Sequence, residues 1–437
     1  MTYAPPACGK AHFYLRSLSV CATMCTMLLP AFMFFSRALS DIAASVLGVL
    51  FLLYSALSGQ WHWCRKPWVL PAALFCGACL LSSLTQHNTA ATLQALCLPR
   101  LFLITAAVQN WVLIRNSNRL MLGGVFFVLA LFLMQQCWQQ YLTGYNVLGS
   151  PPWLDGSLTG PFVKPRAGFT LLVLFLPGIM PVVLYALRAK PIGLRLGGIG
   201  LLLLSVLTMV LIGQRMSTVL MVFGLFLTAL FIRQFRGMFL GLLVFTGACI
   251  ASLPLISPPT YAKLVVHFGN QLQHFSSSAY AELFRKASIM VLNHPLLGEG
   301  MDGFRIFCHL SLSSTAPTLL GLPALNRPAD VGCNLHPHNY YLQVATTAGL
   351  PGLALFGLTA CYWLKTGAGG LASKHPQHTM LFVTCCTILW PFTSTSSLFT
   401  FPTAGWVFLF AGWLMAASTA MAKAPIMAAQ SNSVKPN

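Results

Sequence analysis

Long apolar stretches separated by short polar ones dominate this chain. Apolar runs of about 18–22 residues recur along it, which is long enough to cross the hydrocarbon core of a bilayer as helices. The runs are continuous and do not alternate with polar positions, which favours helices over the strands of a barrel. The pattern predicts an all-α integral membrane protein with about twelve spans. The predicted spans are residues 17–35, 40–58, 68–86, 93–114, 120–141, 167–187, 196–214, 216–232, 238–255, 340–364, 378–395 and 402–422.

One polar segment, residues 256–338, is far longer than the others and is large enough to form a small subdomain. Within it, residues 276–292 predict a helix with a serine cap, which must stop near Asn293 because a proline follows. The predicted organisation is nine spans, the loop subdomain, three further spans and a short tail. The corresponding ranges are 1–255, 256–338, 339–422 and 423–437.

The charges follow the topology of the predicted spans. If the N-terminus is cytoplasmic, most Lys and Arg residues lie on the inner face and all six acidic residues lie on the outer face. Both termini are then cytoplasmic. The net charge of +19 is explained by this asymmetry and does not indicate a nucleic-acid partner. The acidic residues are Asp41, Asp155, Glu282, Glu299, Asp302 and Asp330.

Several cations on the outer face are candidates for binding an anion. Arg215 lies in a short hairpin at a predicted helix start, where backbone amides favour anions. Arg166 precedes the sixth span, and Arg285 and Lys263 lie in the long loop. Arginine suits phosphate because its planar fork donates two hydrogen bonds at once. The alternative for these cations is anchoring at the interface, and Arg100, inside the fourth run, is either functional or a snorkelling side chain.

Two histidines stand where the long loop meets the tenth span. The proline between His336 and His338 favours an extended chain, in which the two rings project to the same side. The tenth span is predicted to begin at Asn339 with His338 at its cap, where the helix dipole disfavours imidazolium, and a neutral imidazole can take a proton from a hydroxyl. Three interpretations are open. The pair supplies a general base beside a phosphate-bearing leaving group, holds a metal with Glu299 or Asp302, or is simply interfacial.

Two further pairs of residues also allow alternatives. Arg37 and Asp41 lie one helical turn apart at an outer boundary, where an ion pair would be ordinary anchoring. Cys308 and Cys333 are the cysteines of the long loop. They form a disulfide if the loop faces an oxidising compartment, or stay free thiols.

Two motifs resemble those of a known family. The first contains Arg285 and the sequence HPLLGEG at 294–300; the second contains HNYYL at 338–342 and GLPGL at 349–353, which also predicts a kink that aims the span. Both resemble motifs of the O-antigen ligase and polymerase superfamily of membrane glycosyltransferases. The resemblance implies a GT-C-like fold and transfer of a glycan from undecaprenyl diphosphate to an acceptor hydroxyl, without metal or cofactor. The site residues it supports are His338 as general base and Arg215 and Arg285 for the donor diphosphate. Arg166 is a further candidate for the diphosphate, and His336, Lys263 and Arg100 are accessory candidates outside the motifs.

Within that family, the length and the single late loop look most like the ligase that joins O-antigen to the lipid A core. This places the protein in the bacterial inner membrane with its active site facing the periplasm. An O-antigen polymerase and a protein O-oligosaccharyltransferase are the alternatives within the class. A transporter of a lipid-linked or anionic substrate is the alternative from another class, but its ionisable residues would lie at mid-membrane on broken helices.

Overall fold

The computed structural model describes residues 9–275, 278–309, 333–371, 375–393 and 396–433. These residues are predominantly helical, and none of the described ranges contains a strand. The α-helices are α1 Gly9–Phe35, α2 Arg37–Ser58, α3 Val69–Thr85, α4 Thr89–Cys97, α5 Pro99–Asn110, α6 Asn116–Thr143, α7 Ala167–Leu174, α8 Met180–Arg188, α9 Ile192–Ile212, α10 Arg215–Phe231, α11 Arg236–Ile256, α12 Pro258–Tyr261, α13 His267–Gln273, α14 Ala279–Asn293, α15 Gly303–Phe307, α16 Tyr340–Ala368, α17 Pro376–Ile388 and α18 Thr403–Ser433.

Nine segments of the described residues are long and apolar enough to cross a membrane. They are Phe13–Phe35, Arg37–Ser58, Thr89–Ile114, Asn116–Thr143, Ala167–Arg188, Ile192–Ile212, Arg233–Ile256, Tyr340–Ala368 and Thr403–Met421. The predicted spans 68–86, 216–232 and 378–395 correspond to shorter helices of 17, 17 and 13 residues. The prediction of a multi-pass, all-helical membrane protein is confirmed, while the count of twelve spans stays a prediction.

Helix α18 is the centre of the bundle and packs against α5, α16 and α17. Its residues 403–418 are buried on every side, as expected of a helix that is apolar all round. A Cβ on Gly412 would lie 2.8 Å from the carbonyl oxygen of Thr105, so only glycine permits this close approach. The Thr105 hydroxyl donates to the carbonyl oxygen of Phe408 at 2.8 Å. Small residues and such bonds are how helices associate in a membrane.

Helix α16 is broken at Ala348 and Gly349, where the backbone leaves helical geometry. The HPLLGEG turn, residues 294–300, docks into this break, and a Cβ on Gly349 would lie 2.6 Å from backbone atoms of Leu296. Backbone hydrogen bonds join the two segments: Glu299 N to Thr346 O at 2.7 Å, Gly300 N to Thr347 O at 3.0 Å and Leu350 N to Pro295 O at 2.7 Å. The predicted kink is confirmed. Leu350 N, the helical partner of Thr346 O, is turned to Pro295 O, and Thr347 O, whose helical partner would be Pro351 without an N–H, accepts from Gly300 N instead.

Helix α14 carries a small second core beside the bundle. Its N-terminal cap is Ser278, whose hydroxyl accepts from Ala281 N at 3.2 Å, and the helix ends at Asn293 as predicted. Side chains of α14 and α15 pack around Cys308, which is joined to Cys333 by a disulfide with a Cα–Cα distance of 5.7 Å. The disulfide alternative is therefore the one that the structure supports.

Candidate functional site

A cavity of about 1070 Å³, here called the chamber, opens where several helices begin. Each helix start carries a partial positive charge from the helix dipole, so the backbone alone favours an anion in this place. The lining residues at these helix starts are Arg37 on α2, Arg166 before α7, Arg215 on α10, Asn339 before α16 and Thr403 on α18.

Side-chain charge adds to this potential. None of the described residues that line the chamber is acidic, whereas Arg37, Arg166, Arg215 and Lys263 all line it. The Lys263 ammonium lies 2.6 Å from the Asp155 carboxylate, so its charge is already compensated. Within the described residues the three arginines have no carboxylate partner. The chamber therefore holds excess positive charge.

Arg215 is held in place by its neighbours. Its Nε donates to the carbonyl oxygen of Lys263 at 2.8 Å, and its Nη1 donates to the Gln271 side chain. The guanidinium also lies 5.8 Å from the centroid of the Phe268 ring. These contacts fix the guanidinium without neutralising it, which is the arrangement that a preorganised anion site requires.

Arg166 is half-buried at the start of α7, where its carbonyl oxygen accepts from Thr170 N at 3.2 Å. Burial, together with the nearby charge of Arg37, lowers the pKa of the Arg166 guanidinium. Because arginine still stays protonated in proteins, the lowered pKa records an unfavourable positive charge. A bound anion would relieve it.

The pairing predicted for Arg37 is wrong. Asp41 instead binds Arg100, with Nε to Oδ1 at 2.9 Å and Nη2 to Oδ2 at 3.3 Å. Arg100 donates also to the carbonyl oxygen of Cys97 at 2.7 Å and does not line the chamber. Because α5 packs on α2, the Asp41 carboxylate pairs with Arg100 and not with Arg37. The Arg37 side chain lines the chamber instead. Sequence reasoning missed Arg37 because its neighbour Asp41 lies at ideal helical spacing.

Arg285 is placed differently from expectation. Its guanidinium is buried in α14 and pairs with Glu282, with Nη2 to Oε1 at 2.7 Å and Nε to Oε2 at 3.2 Å. Other α14 side chains, Tyr280 and Phe284, line the chamber, but Arg285 does not. Its charge is thus compensated within its own helix. The predicted diphosphate role of Arg285 stays a prediction.

The rings of the two histidines lie together, as predicted, with centroids 4.4 Å apart. Neither ring lines the chamber; the pair lies at its rim, next to the lining residues Tyr280 and Asn339. The ring of His338 lies 6.2 Å from that of Tyr280, which lines the chamber. The amide nitrogen of Asn334 donates to His338 Nε2 at 3.1 Å, while the Asn334 oxygen accepts from Leu335 N at 2.7 Å and so fixes the amide orientation. His338 therefore presents an acceptor lone pair on Nε2, which is what a base needs.

Asn339 anchors the segment that carries His338. Its side-chain oxygen accepts from Tyr341 N at 3.0 Å and Leu342 N at 3.1 Å, which caps α16. Its side-chain nitrogen donates to Pro391 O at 2.6 Å and Thr393 O at 3.3 Å, beyond the end of α17. One buried amide thus ties the start of α16 to the chain after α17. The prediction that His338 occupies the cap is wrong: Asn339 is the capping residue and His338 precedes it.

The metal alternative finds no support in the geometry. Within the described ranges, no group of three or more His, Cys, Asp or Glu side chains is placed to hold a metal ion. Glu299 lies 3.3 Å from His294, and Asp302 accepts from Gln94 at 2.9 Å, so neither carboxylate joins the histidine pair. Burial raises the pKa of Glu299, although His294 opposes the effect.

The remaining wall of the chamber is apolar. Aromatic and aliphatic side chains from α7, α10, α13 and α18 form it. They include Phe169, Leu220, Phe268, Leu272 and Trp406. A cavity with a cationic end and an apolar wall suits a ligand that has an anionic head and a hydrocarbon chain.

These features define a multi-pass helical membrane protein with a cationic chamber at its helix starts and a histidine at the rim. Residues 200–357 match a family model described as O-antigen ligase. Over these residues the match confirms the resemblance to O-antigen ligases that the motifs predicted. The match extends from α9 into α16 and contains Arg215 and His338. A comparison with curated proteins found no match to the chain.

Proposed function

We propose that the protein is a metal-independent, inverting glycosyltransferase that moves O-antigen polysaccharide from undecaprenyl diphosphate to the lipid A core. The observation that carries the proposal is the chamber, where three arginines without a carboxylate partner among the described residues meet an apolar wall. In a lipid-linked diphosphate, the diphosphate matches the arginines and the hydrocarbon chain matches the apolar wall. The histidine pair at the rim supplies the remaining requirement, a base.

The proposed reaction is a direct displacement. The acceptor hydroxyl oxygen attacks the anomeric carbon of the donor sugar, and the bond from that carbon to the phosphate oxygen breaks with its electron pair on the oxygen. His338 Nε2 takes the hydroxyl proton. In the structure this nitrogen accepts from Asn334 at 3.1 Å, and an acceptor hydroxyl would make the same kind of bond in its place. Attack from the face opposite the diphosphate inverts the anomeric centre.

The arginines act on the leaving group. Negative charge grows on the diphosphate as the bond breaks, and fixed cations that face this charge lower the barrier. Arg215, already oriented by Lys263 O and Gln271, and half-buried Arg166 are proposed to hold the diphosphate. The resemblance also assigns Arg285 to it. Because Glu282 compensates Arg285, we propose that Arg285 binds the donor only by exchanging that carboxylate for phosphate.

The proposed location is the inner membrane, with the chamber facing the periplasm and both termini in the cytoplasm. Two features support it. Disulfides persist in oxidising compartments, and the Cys308–Cys333 bond lies beside α14, which contributes to the chamber wall. The predicted charge asymmetry of the spans gives the same orientation.

The proposal is tested with purified protein, undecaprenyl-linked glycan and O-antigen-free lipopolysaccharide, with a chelator present. Transfer to lipopolysaccharide is expected from wild type, and His338→Ala should lower the rate by about two to four powers of ten. His267→Ala is the matched control, because His267 is exposed on α13 and does not line the chamber.

Each alternative has its own signature in this assay. Full activity of His338→Ala contradicts the base assignment. A lengthened lipid-linked glycan with unmodified lipopolysaccharide indicates a polymerase, and glycan on an added pilin-like protein indicates a protein O-oligosaccharyltransferase. Loss of transfer in chelator that one ion restores indicates a metal. Release of lipid-linked substrate across a vesicle without transfer indicates a transporter.

A further inference from the structure

We propose that Arg37 is the residue that binds the negative charge created on the leaving diphosphate, and that it contributes little to binding the intact donor. The inference rests on the proposed function and adds to it a residue that the motifs do not contain. Arg37 is thus the side chain that binds the transition state more strongly than it binds the intact donor.

The first observation is that Arg37 is a cation without a compensating anion. It is the first residue of α2 and lines the chamber. Asp41, one turn further along the same helix, is occupied by Arg100 through two contacts at 2.9 and 3.3 Å. No hydrogen bond or ion pair of the Arg37 guanidinium occurs with the described residues. An exposed arginine with no other bond can move onto a new charge.

The second observation is that other arginines line the chamber together with Arg37. Both Arg37 and Arg166 line the chamber, and burial together with the charge of Arg37 lowers the pKa of the Arg166 guanidinium. Arg215 lines the chamber as well and is held by hydrogen bonds to Lys263 O and Gln271. Two like charges next to each other are costly in a partly desolvated site unless an anion lies between them.

The third argument is the balance of charge during the reaction. In the intact donor each phosphorus centre carries one negative charge, because both phosphates are esterified. When the anomeric bond breaks, its electron pair stays on the terminal phosphate, and a phosphate monoester carries roughly −1.5 to −2 charges near neutral pH. The two charges of the intact donor are matched by two arginines. The further negative charge that cleavage creates is matched by the third arginine. Arg215 is hydrogen-bonded into the chamber wall and Arg166 is half-buried, so the exposed Arg37, which has no such bond to the described residues, is assigned to the added charge.

An interaction made only with the developing charge should change turnover and not donor binding. Arg37→Gln is therefore expected to lower kcat by about tenfold to a hundredfold, with the KM for the donor nearly unchanged. Arg37→Lys should recover part of the loss, because it restores the charge but not the planar fork. Arg305→Gln is the control: this arginine is exposed on α15 and does not line the chamber.

Asp41 offers a second, sharper test. Arg100→Gln would leave the Asp41 carboxylate free to pair with Arg37 four residues away, so it should lower kcat although Arg100 is outside the chamber. Adding Asp41→Asn should then restore kcat to near the wild-type value. A merely structural role for this ion pair predicts the reverse, because the double variant would be the more damaged protein.

A binding measurement separates this inference from the proposed function. Farnesyl diphosphate, a diphosphate monoester, is the leaving-group probe, and a farnesyl diphosphate sugar, a diester, is the donor probe. Arg37→Gln should weaken the monoester by about tenfold or more and the diester by less than about threefold. Equal weakening of both probes, or of neither, overturns the inference. If the differential is found but wild type transfers no glycan, the proposed function fails and the assignment of Arg37 to the diphosphate monoester stands.

Discussion

Replacement of Arg215 by glutamine is the most direct test of the chamber. The guanidinium is fixed by its bonds to Lys263 O and Gln271, so its fork is preorganised for a phosphate. The variant would lose two charge-assisted hydrogen bonds to the donor, each worth about 1.5–3 kcal/mol. Because Arg215 is only half-buried, the lower end applies, and about 3–4 kcal/mol corresponds to two to three powers of ten in kcat/KM.

The assay is the initial rate of glycan transfer over a range of donor concentrations, for Arg215→Gln, Arg215→Lys and the control Arg305→Gln. The lysine variant should fall between wild type and glutamine, because it keeps the charge and loses the bidentate geometry. The melting temperature of each purified variant shows whether it is folded. A folded Arg215→Gln protein whose kcat/KM stays within about threefold of wild type would refute the assignment of Arg215 to the diphosphate.

Two further predictions concern stability. Gly349→Ala should lower the melting temperature strongly, because the glycine has a φ of +68° and a Cβ would lie 2.6 Å from backbone atoms of Leu296. Gly357→Ala on the same helix is the control. A Cβ at Gly357 would have no atom within 4 Å, so this variant should be neutral or stabilising by up to about 1 kcal/mol. Equal melting temperatures would contradict this. Although burial opposes it, the hydrogen bond from Lys263 lowers the pKa of Asp155 below its ordinary 3.8. The stability from this carboxylate is therefore present above that value and lost as pH falls through the folded pKa. Asp155→Asn should melt earlier at neutral pH and lose less on acidification from about pH 5 to 3, and an unchanged loss would count against the pair.

The convergence of the chamber could be predicted from the spans alone. When spans alternate in direction, the second, sixth, eighth, tenth and twelfth all begin on the outer face. Arg166, Arg215 and Asn339 lie at three of these starts, so the hydropathy pattern already places them at one end of the bundle. The structure brings all three to one cavity. Topology follows from hydrophobic length, which is a local property of sequence.

Charge pairing was less predictable, because it depends on packing between helices. Asp41 lies four residues after Arg37, yet the approach of α5 gives it to Arg100. No local signal reveals that exchange. Arg285 differs, since Glu282 precedes it by three residues and a pair at that spacing is readable on a helix. The burial of that pair, which keeps Arg285 from the chamber wall, comes from the packing of α14 on α16 and could not be read.

For the histidine segment, the closeness of the two rings was predictable but the backbone conformation at His338 was not. The rings of His336 and His338 lie together, as predicted, but the chain at His338 is not extended. The bond from Asn334 to His338 depends on the local chain reversal at His338, whose φ of 51° is rare for a residue other than glycine. Sequence spacing gives no hint of such a conformation.

The break in α16 also has a consequence for how the protein is made. In hydrocarbon, the carbonyl groups of Thr346 and Thr347 cannot remain without partners. Both accept from amides of the turn at 299–300, and Thr347 O also accepts from the Ser82 hydroxyl. Ribosomes deliver the turn before α16, so the partner is already synthesised when this helix enters the bilayer. If the turn is absent or displaced, Thr347 O loses an amide donor that α16 cannot replace, because residue 351, its helical partner, is a proline without an N–H. The order of the two motifs along the chain therefore suits insertion as well as catalysis.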